Sequence, residues 1–207
     1  MTVAIVIPAA GLSRRFGPDD KLLTPLGDGT DPIVRLTARA ACASRAGLVV
    51  VVIRPGAPGD HVARALQSLR ASLVVATDDV SGMGSSIAAG VRRVGAGFAG
   101  VMVLPADMPW VTAAWLDTLI GVFEASDQRS IVVSVDAKGE QRTPVIWPAD
   151  LLATLAELSG ETGGKGLLDR HRDRIVRVQP PSDHVLRDVD TPGDLTIDVA
   201  EPGETRR

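Results

Sequence analysis

Apolar residues along this chain fall into short unbroken runs separated by segments in which they recur at helical spacing. Residues 3–7, 48–53 and 99–104 are continuous apolar runs, apart from the single glycine of the last. Such runs are too short for an independent helix and too uniform for a strand with one wet face, so they predict buried parallel strands. Between them, Asp31-Pro32 opens a helix with Ile33, Leu36, Ala40 and Ala43 at helical spacing and Gly47 as its stop. The run Arg54-Pro55-Gly56-Ala57-Pro58-Gly59 reads as loop, after which Asp60 caps a helix to Arg70 with Val62, Ala65, Leu66 and Leu69 inward. A third strand is expected at 72–76, a helix at 85–94, and a further helix opened by Thr112 and running to about 125. Strands alternating with helices across short turns predict a mainly parallel sheet covered on both faces.

The alternation then changes. Residues 130–135 and 143–147 read as two strands around Asp136-Ala137-Lys138-Gly139-Glu140, which has the composition of a hairpin turn. Pro148-Ala149-Asp150 opens a helix carrying Leu151, Leu152, Leu155 and Leu158 and closed by Gly160. Gly163-Gly164-Lys165-Gly166 reads as a flexible stretch, 174–178 as a strand and 187–189 as a short last strand. The fold class expected is α/β: a three-layer, mainly parallel, Rossmann-like sheet with helices on both faces and an antiparallel hairpin excursion. Residues 1–199 are expected to form one domain, and AEPGETRR at 200–207 has the composition of a disordered tail.

Composition narrows the function classes. With 207 residues and 45 % apolar content the chain suits one good core. A formal charge of −3 gives no electrostatic case for nucleic acid or membrane as the main partner. Aromatic residues at 3 % speak against a base-stacking platform. The one cysteine, Cys42, lies among alanines and reads as a buried small residue on a helix. No run approaches the roughly 18 apolar residues of a membrane helix, and the chain enters its first strand without a charged leader, so a cytoplasmic location is expected.

Candidate chemistry gathers at the ends of the buried strands. After the first one, Ala9, Ala10, Gly11, Leu12 and Ser13 present successive backbone donors, which is how a chain builds a concave anion site. Arg14, Arg15 and Lys21 add positive charge, and the combination suits a polyphosphate; an ordinary strand-to-helix connection with solvated basic residues is the plainer alternative. Neither a G-x-G-x-x-G fingerprint nor a Walker A loop is present. Asp107 follows the fourth strand on the same edge, where ligands gather in open α/β sheets, and a hard oxygen there suits magnesium, or else caps a turn. In Asp188-Val189-Asp190-Thr191-Pro192-Gly193-Asp194 the residues alone describe a helix N-terminus. Alternation would put Asp188 and Asp190 on one side of a strand without deciding between them. Gly82 and Gly84 permit close backbone approach before a helix that Ser85 can cap. His61, His171 and His184 show no metal-ligand spacing and read as surface residues.

Gly11-Leu12-Ser13-Arg14-Arg15-Phe16-Gly17, followed by Lys21, resembles the G-x-S-x-R-hydrophobic-G…K signature of nucleotidyltransferases with a glycosyltransferase-A-like fold. Within that group the chain most resembles the molybdenum cofactor cytidylyltransferases and their guanylyltransferase relatives. Pro105-Ala106-Asp107-Met108-Pro109 is similar to their Asp-x-Pro element, residues 188–194 to their Asp-x-Asp-Thr-Pro-x-Asp element, residues 82–86 to their Gly-Met-x-x-Ser segment, and residues 160–168 to an acceptor-side loop. The resemblance implies transfer of a nucleoside monophosphate to a phosphomonoester acceptor with release of pyrophosphate. It implies that Ala9, Ala10, Gly11, Leu12, Ser13, Arg15, Gly82, Met83 and Ser85 contact the nucleotide, and that Lys21 stabilises the transferring group. Asp107 and, of the later acids, Asp190 would hold Mg2+, with Lys165 on the acceptor side. Ala10 favours CTP over GTP as donor. Molybdopterin is the implied acceptor, and a molybdoenzyme of the xanthine dehydrogenase type the implied partner protein. Gln141-Arg142-Thr143-Pro144 stands where relatives often carry Gly-His-Pro, which leaves the acceptor open. Two other readings stand beside transfer: an NAD(P)H-dependent oxidoreductase of the nicotine-pigment-reducing type, and a non-catalytic accessory protein that binds the molybdenum cofactor.

Overall fold

The computed structural model describes residues 2–11, 16, 20–27, 29–76 and 82–196. Seven strands build one sheet: β1 Val3–Ala9, β2 Leu48–Ile53, β3 Ser72–Val75, β4 Gly100–Val103, β5 Ile131–Val135, β6 Gln141–Pro148 and β7 Ile175–Val178, in the order β3-β2-β1-β4-β6-β5-β7. β1 lies at its centre, parallel to β2 on one side and β4 on the other. β3 extends the parallel part beyond β2, and β6 runs antiparallel to both β4 and β5, so the hairpin excursion is part of the main sheet. The helices are α1 Ile33–Ala43, α2 Gly56–Ala65, α3 Met83–Val94, α4 Ala113–Ala125, α5 Leu152–Leu155 and α6 Lys165–Arg170. Among the described residues no helix is long and apolar enough to cross a membrane.

The uniform apolar runs have a simple physical cause. Successive side chains of a strand point to opposite faces, and both faces of this sheet are covered. Val3, Ile5 and Ile7 pack into one core with Ile33 and Val34 of α1 and Leu116, Leu119 and Phe123 of α4. Ala4 and Val6 pack into the other with Ile87 and Val91 of α3, Leu155 of α5 and Leu167 of α6. Full burial of each larger aliphatic side chain is worth about 1.5–3 kcal/mol, so neither face of β1 tolerates a polar residue. α4 starts where expected because the Thr112 hydroxyl accepts from the Trp115 N–H at 3.2 Å.

Several elements differ from expectation. α1 turns Ile33, Val34, Thr37, Ala38 and Ala41 inward, while Leu36 and Ala40 are half-buried and Ala43 is exposed. Thr37 can occupy that face because its hydroxyl donates to the carbonyls of Ile33 at 3.3 Å and Ala106 at 3.1 Å. Cys42 is correspondingly half-buried, and burial pushes its thiol above the ordinary value. α2 begins at Gly56, inside the stretch read as loop, and ends at Ala65. A Cβ at Gly59 would lie 1.8 Å from the Arg54 carbonyl oxygen, so glycine here serves close packing of the first turn. The leucine-rich helix is only a 3-10 turn at Ala149–Leu151 followed by the single turn α5, and α6 occupies part of the stretch read as flexible. No strand forms at 187–189; a 3-10 turn at Asp183–Leu186 leads into an extended segment whose Val189 N–H donates to Asp107 O at 2.9 Å. The tail proposed at 200–207 lies outside the described residues.

Asp136 ties the β5–β6 turn to the strand that follows it. Asp136 Oδ1 accepts from the N–H groups of Lys138 at 3.0 Å and Glu140 at 2.9 Å, and Oδ2 accepts from Arg142 Nε at 3.0 Å and Nη2 at 2.8 Å. The Arg142 guanidinium holds the Asp136 carboxyl below the usual carboxylate range. Because the folded pKa lies below the unfolded one, this stabilisation is complete above about pH 4 and drains as the pH falls through the folded value. Asp136→Asn is therefore expected to flatten the loss of stability on acidification below about pH 4, while lowering stability at neutral pH. Urea midpoints measured against pH check both directions.

Candidate active site

The C-terminal ends of β1 and β4 place the candidate residues side by side. The Leu104 N–H donates to the Val6 carbonyl at 3.0 Å, carrying the β1–β4 pairing toward the edge where Ala10, Gly11 and Asp107 emerge. Ala9 is buried, Ala10 half-buried and Gly11 exposed. Leu12, Ser13, Arg14, Arg15 and Gly17 lie outside the described residues.

Lys21 is delivered by a short 3-10 turn, Lys21–Leu23. Asp20 caps that turn: its Oδ1 accepts from the Leu22 N–H at 3.1 Å, and its carbonyl accepts from the Leu23 N–H at 2.9 Å and the Thr24 hydroxyl at 3.2 Å. Its other carboxylate oxygen is ion-paired with Nη2 of Arg54, the residue that follows β2. The Lys21 side chain runs through the protein with only 8 % of the residue exposed, and its Nζ reaches Asp107 Oδ2 at 2.6 Å and Asp190 Oδ1 at 3.9 Å.

Asp107, Asp188 and Asp190 form the other half of the site. The Val189 bond to the Asp107 carbonyl brings the later segment alongside, and one carboxylate oxygen from each acid lies within 4.8 Å of the other two. Asp188 is exposed as a residue, yet the packing around its carboxylate, and after it the Asp107 charge, push its pKa up. Among the described residues three carboxylates converge beside the Lys21 ammonium, and their hard oxygen donors are a set suited to a divalent cation. The helix-capping reading of 188–194 also holds, but for a different acid. Asp194 Oδ2 accepts from the N–H groups of Asp190 at 3.0 Å and Thr191 at 2.7 Å and from the Thr191 hydroxyl at 2.9 Å. Those bonds, the Thr191 N–H foremost, hold Asp194 below the usual range and leave the Asp190 carboxylate directed toward Lys21.

The second group of expected residues is joined by backbone contacts. Gly82 has φ +106°, and a Cβ there would lie 2.3 Å from the Gly160 carbonyl oxygen. The Gly84 N–H donates to that carbonyl at 2.9 Å, and the Gly160 N–H donates to the buried Ser85 hydroxyl at 3.0 Å. Ser85 thus ties the loop after α5 to the start of α3, while Met83 is 39 % exposed beside it. Lys165 is exposed at the start of α6.

Sequence reasoning missed three features around this edge. The Asp20–Arg54 pair was detectable only by asking which charged residue follows each strand at its C-terminal end. Arg142 senses the charge of Asp188 as well as its partners Asp136 and Glu140, and the Thr143 hydroxyl lies 3.4 Å from Met108 Sδ, so the hairpin borders the acids. His184 is half-buried and not a free surface residue: its ring lies 5.3 Å from that of Trp110, over which Arg187 also sits at 5.4 Å. His171 is half-buried as well, and His61 is exposed as expected.

Comparison with known proteins gives the family. The chain belongs to the MobA-like NTP transferase domain family, whose profile matches residues 5–175. Its fold is similar to the crystal structure of the Mycobacterium sp. strain JC1 homologue of Mycobacterium tuberculosis Rv0371c, at 28 % identity and TM-score 0.79 over 93 % of this chain and 92 % of that one. Two further structures share the fold at 24 % identity: Rv0371c of Mycobacterium tuberculosis in complex with manganese, with TM-score 0.73 over 94 % of this chain and 96 % of that one, and a nucleotidyl transferase from Methanothermobacter, with TM-score 0.75 over 93 % and 94 %. No curated protein sequence matches the chain.

Proposed function

We propose that this member of the MobA-like NTP transferase family moves a nucleoside monophosphate from a nucleoside triphosphate, CTP by preference, to a molybdopterin-type phosphomonoester in a Mg2+-dependent reaction. The observation that carries the reading is the meeting of the Lys21 ammonium with the carboxylates of Asp107 and Asp190 beside the turn that follows β1. Anionic substrates need such a cation, and a hard divalent ion needs such oxygens.

The donor set fits the metal: carboxylate oxygens of Asp107, Asp188 and Asp190 within 4.8 Å of one another, with no soft ligand among them. Asp107 and Asp190 are its holders in this reading, and Mg2+ bound there supplies charge neutralisation on the phosphates. A crystal structure of Rv0371c in complex with manganese, a protein of the same fold, supports a divalent ion as the metal in this reading.

The remaining work falls to the chain's own groups. Backbone N–H groups from Ala9 to Ser13, with Arg15, hold the β- and γ-phosphates, while Gly82, Met83 and Ser85 border the nucleotide and Lys165 the acceptor. A phosphomonoester has a second pKa near ~6, so it is largely dianionic at neutral pH and no protein base is required. Its oxygen forms a bond to the α-phosphorus as the bond from that phosphorus to the bridging oxygen breaks, and pyrophosphate leaves with the electron pair. Lys21 stabilises the charge on the group in transfer.

The choice of CTP rests on Ala10 in the opening turn, and the choice of acceptor on the resemblance of the motifs. Pyrophosphate release, measured with CTP and GTP, with and without Mg2+, and with molybdenum cofactor against simpler phosphomonoesters, tests each part. CTP with molybdenum cofactor and Mg2+ is expected to exceed GTP by about tenfold or more in kcat/KM. Consumption of NAD(P)H without metal, or tight cofactor binding without pyrophosphate release, would replace the reading by a reductase or a carrier respectively.

A further inference from the structure

We infer that Arg54 is a positioning residue for Lys21, acting through Asp20. Lysine carries its charge on a flexible four-carbon stem, and where the ammonium sits depends on how its backbone is presented. Here the backbone is presented by a 3-10 turn of three residues, a helix type with poorer hydrogen-bond geometry than the α-helix. Asp20 closes the turn with one carboxylate oxygen on the Leu22 N–H, and Arg54 holds the other oxygen.

Arg54 is itself anchored on the strand layer. It directly follows β2, and the first turn of α2 packs so tightly on its carbonyl that only glycine fits at position 59. The Arg54–Asp20 pair is sheltered, with side-chain exposures of 17 % and 18 %, and is therefore unlike the solvated surface bridges that contribute little. A chain of contacts thus runs from β2 through Arg54 and Asp20 to the turn, and from the turn along the buried Lys21 stem to Asp107. Arg54 touches the reacting groups at no point in that chain. Its effect on turnover rests on the nucleotidyl-transfer reading above; its hold on Lys21 does not.

The sequence contains three lysines, Lys21, Lys138 and Lys165, and the latter two are exposed, which makes amine labelling a direct readout. Reductive methylation with formaldehyde and a borane reductant, located by peptide mass spectrometry, is compared between wild type, Arg54→Met, Arg54→Lys and Asp20→Asn. In the wild type Lys21 is expected to react about tenfold more slowly than the other two, being held on Asp107. In Arg54→Met and Asp20→Asn it is expected to react about fivefold faster than in wild type, with Lys138 and Lys165 unchanged, and Arg54→Lys is expected to restore part of the protection. An unchanged Lys21 rate in both Arg54→Met and Asp20→Asn overturns the assignment. Asp20→Asn keeps the volume of the side chain and answers the same question if Arg54→Met does not fold.

A kinetic cycle adds the link to turnover. Arg54→Met is expected to lower kcat about tenfold with KM for the triphosphate within about threefold, and to cost less than about twofold once Lys21 is already Met. Additive losses in the cycle mean a general structural effect and overturn the positioning role. If no triphosphate yields pyrophosphate, the transfer reading falls, and the labelling rates still decide whether Arg54 holds Lys21.

Discussion

Asp107→Asn is expected to lower pyrophosphate release by about 10³-fold or more and to remove most of the affinity for Mn2+ measured directly by calorimetry or electron paramagnetic resonance. Asp107 is the acid nearest Lys21, at 2.6 Å, and one of the three whose oxygens converge within 4.8 Å. An amide keeps the shape but takes away the charge that both cations use. Loss of several kcal/mol of charge stabilisation corresponds to about three powers of ten in rate. The fold should survive the change, because the Asp107 carbonyl still accepts from the Val189 N–H and Asp190 still lies 3.9 Å from the Lys21 ammonium. A variant that retains activity within about threefold of wild type, with an unaltered urea midpoint, would take Asp107 out of the mechanism.

Lys21→Met separates the two cations. The methionine keeps most of the buried stem and removes the ammonium, so kcat is expected to fall by about 10²–10³-fold, the cost of losing one preorganised group that stabilises transition-state charge. KM should move much less, because in the proposed reading the charge that Lys21 meets develops during transfer. Metal affinity is expected to move in the opposite direction to that of Asp107→Asn. Removing a positive charge 2.6 Å from Asp107 Oδ2 leaves the acidic cluster more negative, so Mn2+ should bind at least as tightly as to wild type. Steady-state kinetics and the same metal titration check both parts. A large rise in KM with kcat unchanged would make Lys21 a ground-state binding group and not a catalytic one.

The contrast between Asp190 and Asp194 shows where sequence reasoning reached its end in the site. Both belong to one stretch, and its residue types call for one capping acid and allow one acid beside a metal. Alternation leaves Asp188 and Asp190 undecided as the acid beside a metal, and only the resemblance favours Asp190. Asp194 takes the cap because it sits in the first turn of the segment Pro192–Thr196, within reach of the N–H groups of Asp190 and Thr191. The expected strand at 187–189 failed for a related reason: its neighbour at that point is the carbonyl of Asp107, not a ladder.

What the sequence determined by itself was the strand frame and the edge at which chemistry gathers. A strand buried on both faces must be apolar at every position, so the runs at 3–7, 48–53 and 99–104 declare themselves, and residues such as Gly11 and Asp107 that follow them must emerge at one edge. Local capping chemistry likewise placed α4 to within a residue. Only the tertiary structure decided which face α1 buries, that α2 starts on Gly56, that α6 forms at all, and that Arg54 grips Asp20. Those outcomes depend on partners far away along the chain: Lys21 and Asp107 are 86 positions apart, Arg54 and Asp20 34, and Ser85 and Gly160 75. Propensity and periodicity act over a few turns of backbone, whereas a buried charge or hydroxyl takes its place from whatever opposite group the packed layers bring within about 3 Å.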